Sequence, residues 1–257
     1  MPPRFVLPRP AWPFEPEDLM NRVAMDRRGT LGDPLGWMLA WPLLVLGSTI
    51  VAGVITGLVT SLNGGDVAAS YDRAIETYYL VLIGTYAGVL ALFGLWLLPR
   101  GLASPVLDPR PQRPGLETAY GAIFFTLSLV FSITAVDLLQ RVSPIPLDMT
   151  SPPMPENSQY AVWFLVPTIV LLAPYIEEVV IRGWILPALV VRMGGWFWPI
   201  LLTSVFFGLL HVFAGWPTVV YTTVLGVCAA LARKVTGRLW APILLHIANN
   251  ALAVSNL

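Results

Sequence analysis

Two adjacent acids and an arginine, Glu177, Glu178 and Arg182, stand inside an apolar run from Tyr160 to Val191. Ionised groups are costly in such surroundings and by default mark function. On a helix, Glu178 and Arg182 fall at i and i+4 and can pair, whereas Glu177 points to a neighbouring face. One acid is then neutralised and the other stays available for general acid–base work. The plainer alternative is a structural ion pair that ties helices together. Pro174 lacks an N–H and clashes with the carbonyl of Val170, so the helix should kink or open one turn before the acids and admit water.

The partners of such acids are sought among the two histidines of the chain, His211 and His246, which both lie in apolar stretches of the same half. In Phe207-Gly-Leu-Leu-His211 the aromatic ring and the imidazole stand at i and i+4 and face one cavity. His246 and Asn250 share a face by the same spacing, so two donors converge from one helix. Glu177 and His211 are each seventeen residues from Gly194, and an antiparallel hairpin turning there puts them level. His246 lies about 9 Å into its own span, whereas Glu177 lies about 25 Å from the Gly194 turn. The two depths agree if the hairpin tip, with Arg192, projects into the cytoplasm or if the helices tilt strongly. Either arrangement puts the site near the cytoplasmic face.

The elements that must hold these residues are membrane helices. Of 257 residues, 56% are hydrophobic and only 12% charged, and the mean hydropathy is +0.71. This is an all-α, polytopic membrane bundle with an intramembrane active-site cavity, not a soluble domain. The net charge is formally zero and no basic run stands out, which argues against a nucleic-acid partner. The single cysteine, Cys228, cannot form an intrachain disulfide and reads as a buried apolar thiol.

Apolar runs near the length of about 20 residues needed to cross a bilayer fall at 35–62, 75–98, 116–140, 160–191, 197–213, 217–232 and 240–256. They give about seven spans, with 197–232 alternatively a hairpin with a re-entrant turn. The chain divides into a Pro-rich arm (1–33), N-terminal transmembrane helices (34–141), a Pro-rich loop (142–159) and the acid- and histidine-bearing core (160–257). Gly53xxxGly57 and Gly84xxxGly88 are close-packing spacings, and Asp137 reads as interfacial. Counting Lys and Arg between spans places the N-terminus in the cytoplasm and the C-terminus outside. Only Arg73 and Arg141 fall on the outer side.

Glu177-Glu178-xxx-Arg182, Phe207-xxx-His211 and His246-xxx-Asn250 resemble, in order and separation, the three motifs of the CPBP family of intramembrane proteases. That family includes the type II CAAX prenyl endopeptidase and bacteriocin-processing or immunity proteins. The resemblance covers roughly Tyr160 to Val254 and implies peptide-bond hydrolysis within the membrane boundary. It implies that Glu177 and His211 activate water and that His246 and Asn250 stabilise the oxyanion; on the chemistry of the residues themselves, Glu178 paired with Arg182 would hold that geometry. Phe207 is expected to contact substrate. No cofactor is expected; zinc on Glu177, His211 and His246 is the alternative, since two histidines and a glutamate are a common catalytic zinc set. Against zinc stand the absence of HExxH spacing and an Asn on the face of His246.

The expected partners are membrane lipid, a peptide or membrane-protein substrate, and a protein bound through the N-terminal arm. The alternative to an endopeptidase is a non-catalytic scaffold or accessory subunit that retains the family core. A proton-coupled transporter is disfavoured by the lack of an internal repeat.

Overall fold

The computed structural model describes residues 109–143 and 166–255, with Leu107 and isolated helical positions between Gly36 and Ser61. The N-terminal arm, the second span, the glycines Gly53, Gly84, Gly88 and Gly94, and the loop before the acid-bearing helix lie outside the described residues. Among the described residues all regular structure is helical.

Helix α1 runs Pro114–Val142, with proline in its first turn, Glu117 near its N-terminus and Arg141 in its last turn. Proline at this end costs no hydrogen bond, because the first N–H groups have no helical partner. Glu117 Oε1 instead accepts the N–H groups of Gln112 and Arg113, at 2.8 and 2.9 Å. The buried stripe of α1 is mostly small or polar, with Glu117, Gly121, Ser128 and Ser132 beside Val136, while Ile123, Leu127, Val130, Phe131 and Leu138 are exposed. In water that arrangement would be inside out. Facing hydrocarbon it is the stable one, since small residues let helices approach closely and large apolar side chains meet lipid. Both α1 and α4 (Trp216–Thr236) are long and apolar enough to cross a membrane.

Helix α2 is one continuous winding made of Pro167–Leu172, Ala173–Glu178, Val179–Ile185 and Leu186–Met193. The first and third of these segments are π-helical. The opening expected at Pro174 therefore takes the form of a wider helical turn: the N–H of Ala173 reaches back five residues to the Thr168 carbonyl. Single π turns inside α-helices recur at functional sites, and here two of them bracket Glu177 and Glu178.

Gly194 closes α2 in a left-handed conformation, φ +69°, that favours glycine. The chain then turns into α3 (Phe197–Leu209), as the hairpin reading required. Helix α3 has only 13 residues, about 20 Å of rise. A turn at Leu210 and His211 follows it, then a short 3₁₀ turn, Val212–Ala214. Helix α4 follows, then a second left-handed glycine, Gly237, and α5 (Trp240–Ser255). Helix α4 is the centre of the packing and touches α1, α3 and α5, while α5 also packs on α2. Gly208 of α3 faces Thr223 and Val219 of α4 so closely that a Cβ would collide with them.

Candidate active site

The two acids separate as the helical spacing requires. Glu178 and Arg182 are 1% and 0% exposed and pair at 3.0 Å between Oε1 and Nη1. Arg182 also donates from Nη2 to the Gly226 carbonyl of α4 at 3.2 Å. Its guanidinium lies over the Phe207 ring, 4.6 Å from the centroid. A Cβ on Gly226 would stand 3.2 Å from Nη2 and 3.1 Å from the Ser204 backbone, so the seat of the arginine depends on that residue having no side chain.

His246, from α5, adds the third member. Its Nδ1 lies 3.0 Å from the same Oε1 of Glu178 that takes Arg182. A carboxylate only accepts, so Nδ1 carries the proton and Nε2 is directed away from Glu178. Nε2 lies 3.8 Å from Oε2 of Glu177, beyond a hydrogen bond but close enough for the two to border one space. Glu177 is 12% exposed, against 3% for His246. The depth mismatch inferred from helical rise is thus resolved in the folded chain.

His211 sits in the turn just past the C-terminal end of α3. Its Nδ1 is 2.9 Å from the Phe207 carbonyl, which can only accept, so the neutral ring keeps its lone pair on Nε2. No direct hydrogen bond joins His211 to Glu177. The two imidazoles instead make T-shaped contacts with the Phe207 ring, at centroid distances of 5.0 Å for His211 and 5.5 Å for His246. Phe207, which the sequence places at the substrate, is 1% exposed and is in contact with Arg182, His211 and His246.

Asn250 does share a helix with His246, and its Nδ2 donates to the Ile169 carbonyl in the first π turn of α2 at 2.8 Å. Its Oδ1 accepts from Asn249 at 3.2 Å, and Asn249 in turn accepts from the Tyr221 hydroxyl of α4 at 2.7 Å. Tyr221 and Asn249 were not singled out from the sequence. A polar side chain in an apolar span needs a partner, and that rule could have flagged both. No group of three or more His, Cys, Asp or Glu side chains arranged to hold a metal ion occurs among the described residues.

Residues 159–252 match the family described as type II CAAX prenyl endopeptidase Rce1-like. The match supports the resemblance of this segment to the CPBP family of intramembrane proteases. The matched segment contains α2 to α5 up to Leu252, and with them every side chain of the site. No curated protein and no solved structure matches the chain. The family is membrane-embedded and proteolytic, in keeping with the exposed apolar surface of α1.

Proposed function

We propose that the chain is an intramembrane endopeptidase in which Glu177 and His211 activate water while His246 and Asn250 stabilise the oxyanion. The observation that carries this reading is the buried Glu178 carboxylate, which holds Arg182 and His246 on one oxygen and leaves Glu177 beside Nε2 of His246. A water between Glu177 and Nε2 of His211 gives up a proton to the Glu177 carboxylate and attacks the peptide carbonyl carbon. Nε2–H of a protonated His246 and Nδ2–H of Asn250 receive the charge on the carbonyl oxygen, which is where preorganised donors contribute most. The proton then passes to the leaving amine as the C–N bond breaks. Phe207 and the Glu178–Arg182 pair hold the two imidazoles in place.

The reaction takes place in a seven-span, multi-pass bundle, N-terminus inside and C-terminus outside, in a cavity open toward the cytoplasm. Its substrates are prenylated or other membrane-associated peptides. Membrane lipid is the solvent of the bundle, and the N-terminal arm is the surface for a protein partner. The test is incubation of the detergent-solubilised protein with internally quenched peptides ending in a prenylated CAAX box, in ¹⁸O-labelled water. Label in the new C-terminal carboxylate is expected. Absence of cleavage across prenylated and unprenylated peptides would favour the scaffold reading.

A further inference from the structure

We infer that Tyr221 and Asn249 are positioning residues that fix the orientation of the Asn250 amide through a hydrogen-bond chain anchored on the Ile169 carbonyl. The inference rests on the oxyanion role of Asn250 proposed above. Its starting point is Pro174. In the widened turn the N–H of Ala173 goes to Thr168, and the next residue, which would bond Ile169 in the same five-residue register, is a proline without an N–H. The Ile169 carbonyl is thereby left for a side-chain donor, and Asn250 supplies it.

From that carbonyl the polarity of the whole chain follows. A carbonyl only accepts, so Asn250 must present its nitrogen to Ile169 and its oxygen to Asn249. Asn249 must then present its nitrogen to Asn250 and its oxygen to Tyr221, whose hydroxyl donates. Neither amide can flip without breaking a bond at both ends. One N–H of Asn250 is spent on Ile169, and the other is left, in a fixed direction, for an oxyanion. Ser132 of α1 steadies the far end by donating to the Tyr221 carbonyl at 3.0 Å. The chain thus ties α1, α4 and α5 to the π turn that precedes the catalytic acids.

Tyr221→Phe removes the terminal donor while keeping the ring, and Asn249→Asp keeps the acceptor for Tyr221 but cannot donate to Asn250. With a quenched prenylated CAAX peptide, each variant is expected to lower kcat about tenfold at unchanged KM, the effect of one hydrogen bond at the upper end of its usual net value. In an Asn250→Ala background neither should lower it further. A merely structural role would lower the melting temperature and act equally in both backgrounds, which would overturn the inference. If the native protein cleaves nothing, the proteolytic reading fails separately. The chain is then judged on ¹⁵N-asparagine-labelled protein: loss of exchange protection at the Asn250 side-chain amide in Tyr221→Phe supports it, and unchanged protection overturns it.

Discussion

Replacing Arg182 by methionine removes the cation but leaves the Glu178 carboxylate in a site with almost no exposure. Removing one partner of a buried pair typically costs about 3–5 kcal/mol, because the remaining charge is uncompensated. Here His246 donates to the same oxygen at 3.0 Å, so Glu178 retains one charge-assisted partner and the loss should fall near the lower end, about 3 kcal/mol. Asp137–Arg141 provides the control. That bridge is shorter, 2.8 Å, yet its side chains are 53% and 73% exposed, and pairs of that kind contribute only about 0–1 kcal/mol. Burial, not distance, decides the ranking. Arg182→Met should therefore destabilise far more than Arg141→Met in equilibrium unfolding of the detergent-solubilised protein. Adding Glu178→Gln should recover part of the loss, because glutamine still accepts from His246 and carries no charge. The coupling should reach about 1–3 kcal/mol. Equal effects of Arg182→Met and Arg141→Met, or strict additivity in the double variant, would refute the buried-pair argument.

Gly226→Ala should displace the guanidinium and lower activity together with about 1–3 kcal/mol of stability; a crystal or cryo-EM structure of the variant with Arg182 unmoved would count against this. Glu117→Ala leaves the N–H groups of Gln112 and Arg113 without their acceptor and should cost about 1 kcal/mol of stability, as loss of a helix cap does, with kcat unchanged. Asn250→Ala should reduce kcat by about 10² to 10³ while the native enzyme keeps its activity after exhaustive chelation. A near-neutral Asn250→Ala combined with chelator-sensitive activity restored by zinc would replace the metal-free mechanism.

Local periodicity made half of the site legible. The pairing of Glu178 with Arg182 and the shared faces of Phe207 with His211 follow from a four-residue spacing that any helix imposes. Pro114, Gly194 and Gly237 mark helix ends for reasons of backbone conformation alone. The contacts between helices were not legible, because depth along a span fixes neither tilt nor rotation. Helical rise alone reconciles His246 with Glu177 only through a projecting hairpin or strong tilt; the fold brings His246 against both acids, and Glu178, the expected partner of Arg182, holds His246 as well. Pro174 foretold an opened turn but not that the freed carbonyl of Ile169 would engage Asn250. Gly226 gave no sign that it seats an arginine, since its role depends on what crosses it.

Single-turnover cleavage by Glu177→Gln, beside the native protein and Glu178→Gln, bears most directly on the claim that Glu177 is the base. Glutamine preserves shape and hydrogen bonding but cannot take a proton from water. Glu177→Gln should abolish the chemical step while still binding a prenylated CAAX peptide, and Glu178→Gln should retain measurable turnover because its part is to hold His246 and Arg182. An active Glu177→Gln beside an inactive Glu178→Gln would contradict the account and exchange the roles of the two acids.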